Sequence, residues 1–299
     1  MRDLQRDGDD RPQHDGVLEY VDADGRDIVL DIEVNVRGKS REEFCTYPPL
    51  KIDFVRDEVE GTVFAGQNKL KLVTLCERTP DFRAYLAKEF LIYRLFNELT
   101  DRSFRVRWAE IDYVDESRNK PDEFSAPAFF IEDDREVADR LGLEVVEREH
   151  QLPIADLEPR HTTLLALFQY MIGNTDWADA RVHNVAIVAV HGRIVPVPYD
   201  FDFAGAVGAP YAIPSPNAPI HTVEQRFYQG WCWPGLDTEA VLGPFREAHP
   251  SVEELVRGFT PLPETSREGL LAYLGGFWEA IATPERAQRR LFRDCRKVG

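Results

Sequence analysis

From Val17 onwards the apolar positions fall in short alternating runs, GVLEYVD, DIVLDIEVNV, PPLKIDF and KLKLVTLC, broken at DADG, at RGKS and at the acidic stretch before Gly61. Alternation with a period of two, bounded by turn-forming residues, predicts an antiparallel sheet. The period then changes. Residues 83–99, RAYLAKEFLIYRLFNEL, contain no Gly or Pro and are rich in Leu, Ala and Glu, which predicts a helix. Two further strands are predicted at RVRWAEIDYVD and APAFFIE, separated by the polar loop DESRNKPDEFS. Beyond Glu132 the pattern is mainly helical: residues 133–141, the apolar and therefore buried HTTLLALFQYMI at 161–172, and residues 267–281 and 284–296.

The expected class is α+β, with a flexible N-terminus over residues 1–15, a sheet-rich lobe with one helix over 16–132, and a helical lobe over 133–299. This is the bilobal plan of a protein kinase, although other α+β folds share it.

Composition narrows the range of partners. Of 299 residues, 36 are Lys or Arg and 53 are Asp or Glu, a net charge of −17, which disfavours nonspecific contact with nucleic acid or an anionic membrane. No run approaches the roughly 18 apolar residues of a membrane helix. The first thirty residues hold no signal-peptide core, so the chain as written is expected to be cytoplasmic, and exported only if an upstream signal is missing. The four cysteines, Cys45, Cys76, Cys232 and Cys295, form no CxxC, so no zinc site is expected. Four free thiols are the expectation; a Cys45–Cys76 bridge is the alternative that goes with export.

The segment NVAIVAVHGRIVPVPYDFDFAG carries the chemistry. Residues 185–190 form a β-branched run, His191-Gly192 supplies a two-residue turn, and residues 193–199 return. In that register Asn184 faces Tyr199 and lies one step from Asp200, so an amide and a carboxylate reach the same open end of a hairpin. Hard oxygen donors of this kind, few in number, suit a magnesium ion that bridges ATP phosphates. Upstream, Asp176 and Asp179 each offer a carboxylate to orient an attacking hydroxyl and take its proton. Asp179 has the DxxxxN spacing to Asn184, whereas Asp176 lies in GNTDW directly after the buried helix, and both remain open. Acids near Gly and Asn often do no more than cap helices and fill turns. The order Asp, Asn, hairpin, Asp-Phe-Asp is what points to function.

KLKLVTLC places Lys69 and Lys71 on one strand face. On the next helix Glu89 has the apolar Tyr85, Leu86, Ile92 and Tyr93 as its three- and four-residue neighbours, a costly position for a carboxylate unless a cation meets it. A strand lysine held by a helix glutamate can place the α and β phosphates of ATP, and Lys71, the more central of the two, is the expected one. GKS at residues 38–40 is not a P-loop, because Glu33 stands where the first Gly is required. His183 either makes a structural hydrogen bond or contacts phosphate. His161 is expected to begin its helix.

NVRGKSREEF followed by PPLKIDF resembles the RGNS-type segment and following strand of the CotH spore-coat kinases. GNTD followed by HN and YDFD resembles the catalytic region of CotH and HipA-type atypical kinases. The resemblance runs loosely from Val17 to Gly205. It implies a protein-kinase-like fold, ATP with Mg²⁺ or Mn²⁺, and transfer of the γ-phosphate to a hydroxyl acceptor, in CotH relatives a protein serine. It further implies Asp200 and Asn184 as metal ligands, Asp202 as an accessory to them, and Arg37 on the nucleotide side. The backbone at residues 131–133, with Glu132 and Asp133, would meet adenine. The GTVFAGQ segment stands where ordinary kinases carry a GxGxxG loop, so the phosphates are covered differently here. Three alternatives stay open: a small-molecule kinase of the aminoglycoside or choline phosphotransferase type, an inactive kinase-like binding module, and a glycosyltransferase using Asp-Phe-Asp as a DxD site.

Overall fold

The computed structural model describes residues 13–38, 41, 45–55, 57–116, 122–146 and 151–298. Most of the N-terminus expected to be flexible, Lys39 and Ser40 of the GKS segment, and residues 117–121 of the DESRNKPDEFS loop lie outside them. Helix accounts for 34% and strand for 25%, which makes the protein α+β with a curled antiparallel sheet.

The alternating runs become strands as their periodicity predicts. They are β1 (His14–Val21), β2 (Asp27–Val36), β3 (Leu50–Phe54) and β4 (Lys69–Val73). After helix α1 (Pro80–Leu99) come β5 (Val106–Asp115) and β6 (Asp122–Ile131), and the six strands form one sheet in the order β1-β2-β3-β4-β6-β5. DADG makes the first turn: the Asp22 carboxylate accepts the backbone N–H groups of Asp24 and Arg26, both at 2.9 Å. Leu30, Ile32, Leu50, Ile52, Phe54, Leu70, Leu72 and Phe130 bury the inner face of this sheet.

Helix α2 (Asp134–Leu141) follows, then the short strand β7 (Glu144–Val145), a 3₁₀ turn (Ile154–Asp156) and α3 (Pro159–Ile172). Glu158 caps α3, its carboxylate accepting the His161 N–H at 2.6 Å, and Pro159 opens it where no N–H is needed. Eleven of the fourteen α3 residues are buried, as its unbroken apolar run predicts. His161 lies inside the helix rather than beginning it, buried with Nε2 3.0 Å from the Pro196 carbonyl. Strands β8 (Val185–Val190) and β9 (Arg193–Pro198) pair antiparallel, Val185 opposite Pro198 and Val190 opposite Arg193, in the expected register. They join β7 in a three-stranded sheet.

The remaining elements are β10 (Trp231–Cys232), α4 (Thr238–Gly258), α5 (Glu264–Ala280), α6 (Pro284–Ala287), a π-helical turn (Gln288–Phe292) and β11 (Arg296–Lys297). Helix α4 was not singled out in the sequence because Pro244 and Pro250, ordinarily helix breakers, stand inside it. Its Asp237 cap and its buried stripe of Val241, Leu242, Phe245, Ala248, Val252 and Val256 outweigh them. The single helix expected over 284–296 is instead one α-turn followed by the π-turn.

Two compact units are present. The first comprises residues 1–86 and 106–136, the second 87–105 and 137–299. The division differs from a cut at residue 132, because most of α1 belongs with the second unit. There Phe96 packs on Phe168 with ring centroids 4.6 Å apart, and Phe90 stacks on Phe259 at 5.1 Å.

The four thiols are not free. Cys45 bonds Cys76 in the first unit and Cys232 bonds Cys295 in the second. Separations of 31 and 63 residues carry no spacing signal, and the chain's own folding brings each pair together. The Tyr47 N–H donates to the Cys76 carbonyl at 3.2 Å, and the Arg296 N–H donates to the Gly230 carbonyl at 2.9 Å. Among the described residues no helix is long and apolar enough to cross a membrane.

Candidate functional site

The site of the second unit is assembled where α3 ends. Gly173 caps that helix in the left-handed conformation, φ 67°, and the chain turns into GNTDW. Here the Asp176 N–H donates to the Asn174 side-chain oxygen at 2.9 Å. Ala178 and His183 then form an antiparallel bridge, exchanging backbone hydrogen bonds of 3.0 and 2.9 Å, and the Val182 N–H closes the turn on the Asp179 carbonyl. The bridge pinches residues 179–182 into a tip. Asp176 and Asn184, eight apart in sequence, are thereby brought into contact. The Asn184 side-chain nitrogen donates to the Asp176 backbone carbonyl at 2.7 Å and to its carboxylate at 3.0 Å. His183 Nε2 takes the other carboxylate oxygen at 2.8 Å.

The two candidate bases lie in different environments. Asp176 is partly exposed at the open end of the β8–β9 hairpin. Asp179 is fully buried: its carboxylate accepts the Trp231 indole N–H at 2.7 Å and the Ala180 N–H at 2.7 Å, and it pairs with Arg296 at 3.5 Å. Its carboxylate is thus occupied by protein partners on both oxygens, whereas that of Asp176 faces the hairpin end.

The return strand delivers Asp200 to the same place. The Tyr199 N–H donates to the Asn184 carbonyl at 3.0 Å, as the register requires. Asp200 has φ 63° and Asn184 φ 52°; Val182, between Asp179 and Asn184, also has φ 52°. Left-handed backbone at non-glycine residues costs free energy and gathers at functional sites. The Asp200 N–H is held by the Tyr93 hydroxyl at 2.9 Å, while Phe201 is buried edge-on to Tyr93 and Phe168. Asp202 is also buried. The hydrogen bond to Asp176 raises the His183 pKa against the opposing effect of burial, and the charges of Asp176 and then Asp200 add to the rise, so the three side chains share one field.

Two glycines lock the backbone beneath. The Gly205 N–H donates to the Gly173 carbonyl and the Ala206 N–H to the Ile172 carbonyl, at 3.1 and 2.9 Å. A Cβ on Gly173 would lie 1.9 Å from the Tyr273 hydroxyl, and one on Gly205 would lie 2.2 Å from the Val223 carbonyl.

In the first unit Lys69 and Lys71 share a strand face, as expected. Asp53 takes Lys51 at 2.9 Å and Lys69 at 3.2 Å, and Lys69 is half exposed. Lys71 is more enclosed and forms an ion pair with Asp134. Burial pulls its ammonium below the usual range, the Asp134 carboxylate opposes this, and the charge of Arg37 reinforces it, so Arg37 belongs to the same cluster. Asp133 acts electrostatically on both lysines, and Glu132 is buried at the end of β6. Glu89, in the second unit, is buried at 3% exposure, as its apolar neighbours predict.

The sequence reading missed Tyr93, Trp231, Arg296 and Asp134. Tyr93 was legible as a tyrosine on a buried helix face, since its hydroxyl must find a partner there. Trp231 and Arg296 carried no signal, because both act across more than fifty residues. Among the described residues no three His, Cys, Asp or Glu side chains gather into a metal cage. The chain matches no family model, no curated protein and no solved structure.

Proposed function

We propose that this protein is an ATP-dependent phosphotransferase of the atypical CotH and HipA-like kind, acting on a hydroxyl acceptor, a protein serine or threonine first. In this reading the fold is protein-kinase-like, the first unit being its sheet-rich lobe and the second its helical one. The observation that carries the reading is the meeting of Asp176, Asn184 and Asp200 at one hairpin mouth, with both Asn184 and Asp200 in the left-handed backbone region.

The donor set fits a divalent cation of the magnesium type. Such an ion takes most of its ligands from phosphate and water and needs only one or two protein carboxylates. Asn184 commits its nitrogen to Asp176, which turns its amide oxygen away as a hard donor, and Asp200 adds a carboxylate. When bound, Mg²⁺ or Mn²⁺ supplies charge neutralisation for the phosphates. The chain does the rest by positioning. Asp176, held by His183 and Asn184 on its two oxygens, orients the acceptor hydroxyl and takes its proton. Lys71, which pairs with Asp134, contributes the phosphate-binding cation, and the backbone at residues 131–133 contacts adenine.

The deciding experiment incubates the protein with γ-labelled ATP and Mg²⁺ or Mn²⁺, alone and with candidate protein acceptors, and compares wild type with Asp200→Ala and Asp176→Ala. Label transfer by wild type that falls at least about a hundredfold in each variant is expected. Transfer that is equal in wild type and Asp200→Ala, or absent from wild type, overturns the reading.

A further inference from the structure

The buried carboxylate of Asp179 is the best-connected group of the loop that carries Asp176 and Asn184, and every side chain that holds it comes from two short strands far along the chain. Trp231, in β10, donates its indole N–H to one carboxylate oxygen at 2.7 Å. Arg296, in β11, reaches the other at 3.5 Å and lies over the Trp231 ring, its guanidinium carbon 4.0 Å from the centroid. The strands pair in parallel, Trp231 opposite Arg296 and Cys232 opposite Lys297. A two-residue parallel pairing is weak by itself. What fastens it is the Cys232–Cys295 disulfide, one residue from both Asp179 partners.

The two disulfides differ in accessibility. Cys45 and Cys76 are buried at 4% and 7% exposure. Cys232 and Cys295 are only half-buried, and they line a surface cavity of about 300 Å³ together with Trp231, Trp233 and Phe292. A small dithiol therefore has a route to this second bridge that it lacks to the first.

We infer that Trp231 and Arg296 are positioning residues for the Asp176–Asn184 loop, and that the Cys232–Cys295 bridge is a reducible clasp that keeps them in place. A dithiol thiolate attacks one cysteine sulfur to give a mixed disulfide. The dithiol's second thiolate then attacks its own sulfur in the mixed disulfide, breaks the bond to cysteine and leaves as the cyclic disulfide, so that two electrons and two protons pass to Cys232 and Cys295, which become thiols. With the clasp open β11 leaves β10, Arg296 no longer meets Asp179, and the pinched tip at residues 179–182 loosens. Asp176 and Asn184 lose their alignment while the helical core stays folded. The inference rests on the phosphotransfer reading only in treating this loop as the catalytic one.

The test uses the whole protein, oxidised and after graded dithiothreitol, with peptide mass spectrometry to establish which bridge has opened. Amide hydrogen exchange is followed over residues 173–184 and over α4 and α5. With Cys232–Cys295 open and Cys45–Cys76 intact, exchange at residues 176–184 should rise roughly tenfold or more while α4 and α5 change little. In the transfer assay kcat should fall by a comparable factor with the KM for ATP within about twofold. Cys295→Ser should behave as the reduced protein whatever the dithiol concentration. Arg296→Lys, which keeps the charge beside Asp179, should retain more of kcat than Arg296→Ala. Unchanged exchange at 176–184 after the bridge opens, or a rise spread evenly over the second unit, overturns the inference. If wild type transfers no phosphate in either state, the phosphotransfer reading fails, and the exchange measurement still decides whether the clasp holds the loop.

Discussion

The Asn184 side-chain nitrogen makes two hydrogen bonds to one residue, Asp176, at 2.7 Å to the backbone carbonyl and 3.0 Å to the carboxylate. The contact needs a donor at 184. Replacing Asn184 by Asp sets two carboxylates face to face at hydrogen-bond distance, and one of them must hold a proton or repel the other. Asn184→Asp is expected to lose about 1–3 kcal/mol at pH 7. Part of the loss returns near pH 5, as one carboxyl of the pair protonates. Urea unfolding of wild type and variant at the two pH values measures this; an equal deficit at both contradicts the pairing.

Gly173 and Gly205 are both crowded by Tyr273 and Val223, but in different ways. Only the Tyr273 side chain comes closer than 3.4 Å to a Cβ on Gly173, whereas a Cβ on Gly205 also meets the Val223 backbone at 2.2 Å. Gly173→Ala and Gly205→Ala should each cost at least about 1–3 kcal/mol. Adding Tyr273→Phe, which removes the hydroxyl, should recover part of the loss at 173, leaving the left-handed strain, and little of it at 205. A double-mutant cycle on Tm or urea midpoint reads the difference, and equal rescue at both sites would contradict the geometry.

His161 supplies the pH dependence. Burial is the main cause that lowers its pKa from 6.5 to about 4, with the Arg102 charge adding to it and the hydrogen bond to Pro196 opposing. Because the folded pKa is depressed, the unfolded chain takes up the proton first as pH falls. The stability held above pH 6.5 is therefore lost progressively down to about pH 4, in total about 3 kcal/mol. His161→Gln, which can still donate to the Pro196 carbonyl, should flatten this part of the stability–pH curve. Curves of the same slope for variant and wild type between pH 6.5 and 4 would show that His161 titrates normally.

Lys69 and Lys71 separate by environment although they share a strand face. Lys69 is half exposed and bound to Asp53, whereas Lys71 is enclosed with Asp134 and Arg37. On the phosphotransfer reading Lys71→Met should reduce kcat/KM for ATP at least about tenfold more than Lys69→Met. Equal losses would place the phosphate-binding role elsewhere.

Short-range patterns in the sequence carry most of the strands, helix α3 and the β8–β9 register, because period, turn residues and length act within a dozen positions. Helix α4 escaped because Pro244 and Pro250 are locally adverse and the apolar stripe that compensates them is paid back only by tertiary packing. The site divides along the same line. The placement of Asn184 and Asp200 at one hairpin end was legible because a two-residue turn fixes their register. The contrast in burial between Asp176 and Asp179 was not, since it depends on the Ala178–His183 bridge and on Trp231 and Arg296, more than fifty residues beyond Asp179. The disulfides fall in the same class.

The paired hydrogen bonds from Gly205 and Ala206 to Gly173 and Ile172 join the loop after α3 to the segment after β9 through main chain alone. Erosion of the surrounding hydrophobic interior would thus reach thermal tolerance well before it reached the spacing between the two oxygen donors. On the phosphotransfer reading, sequence drift in that interior would alter stability before it altered the hairpin mouth.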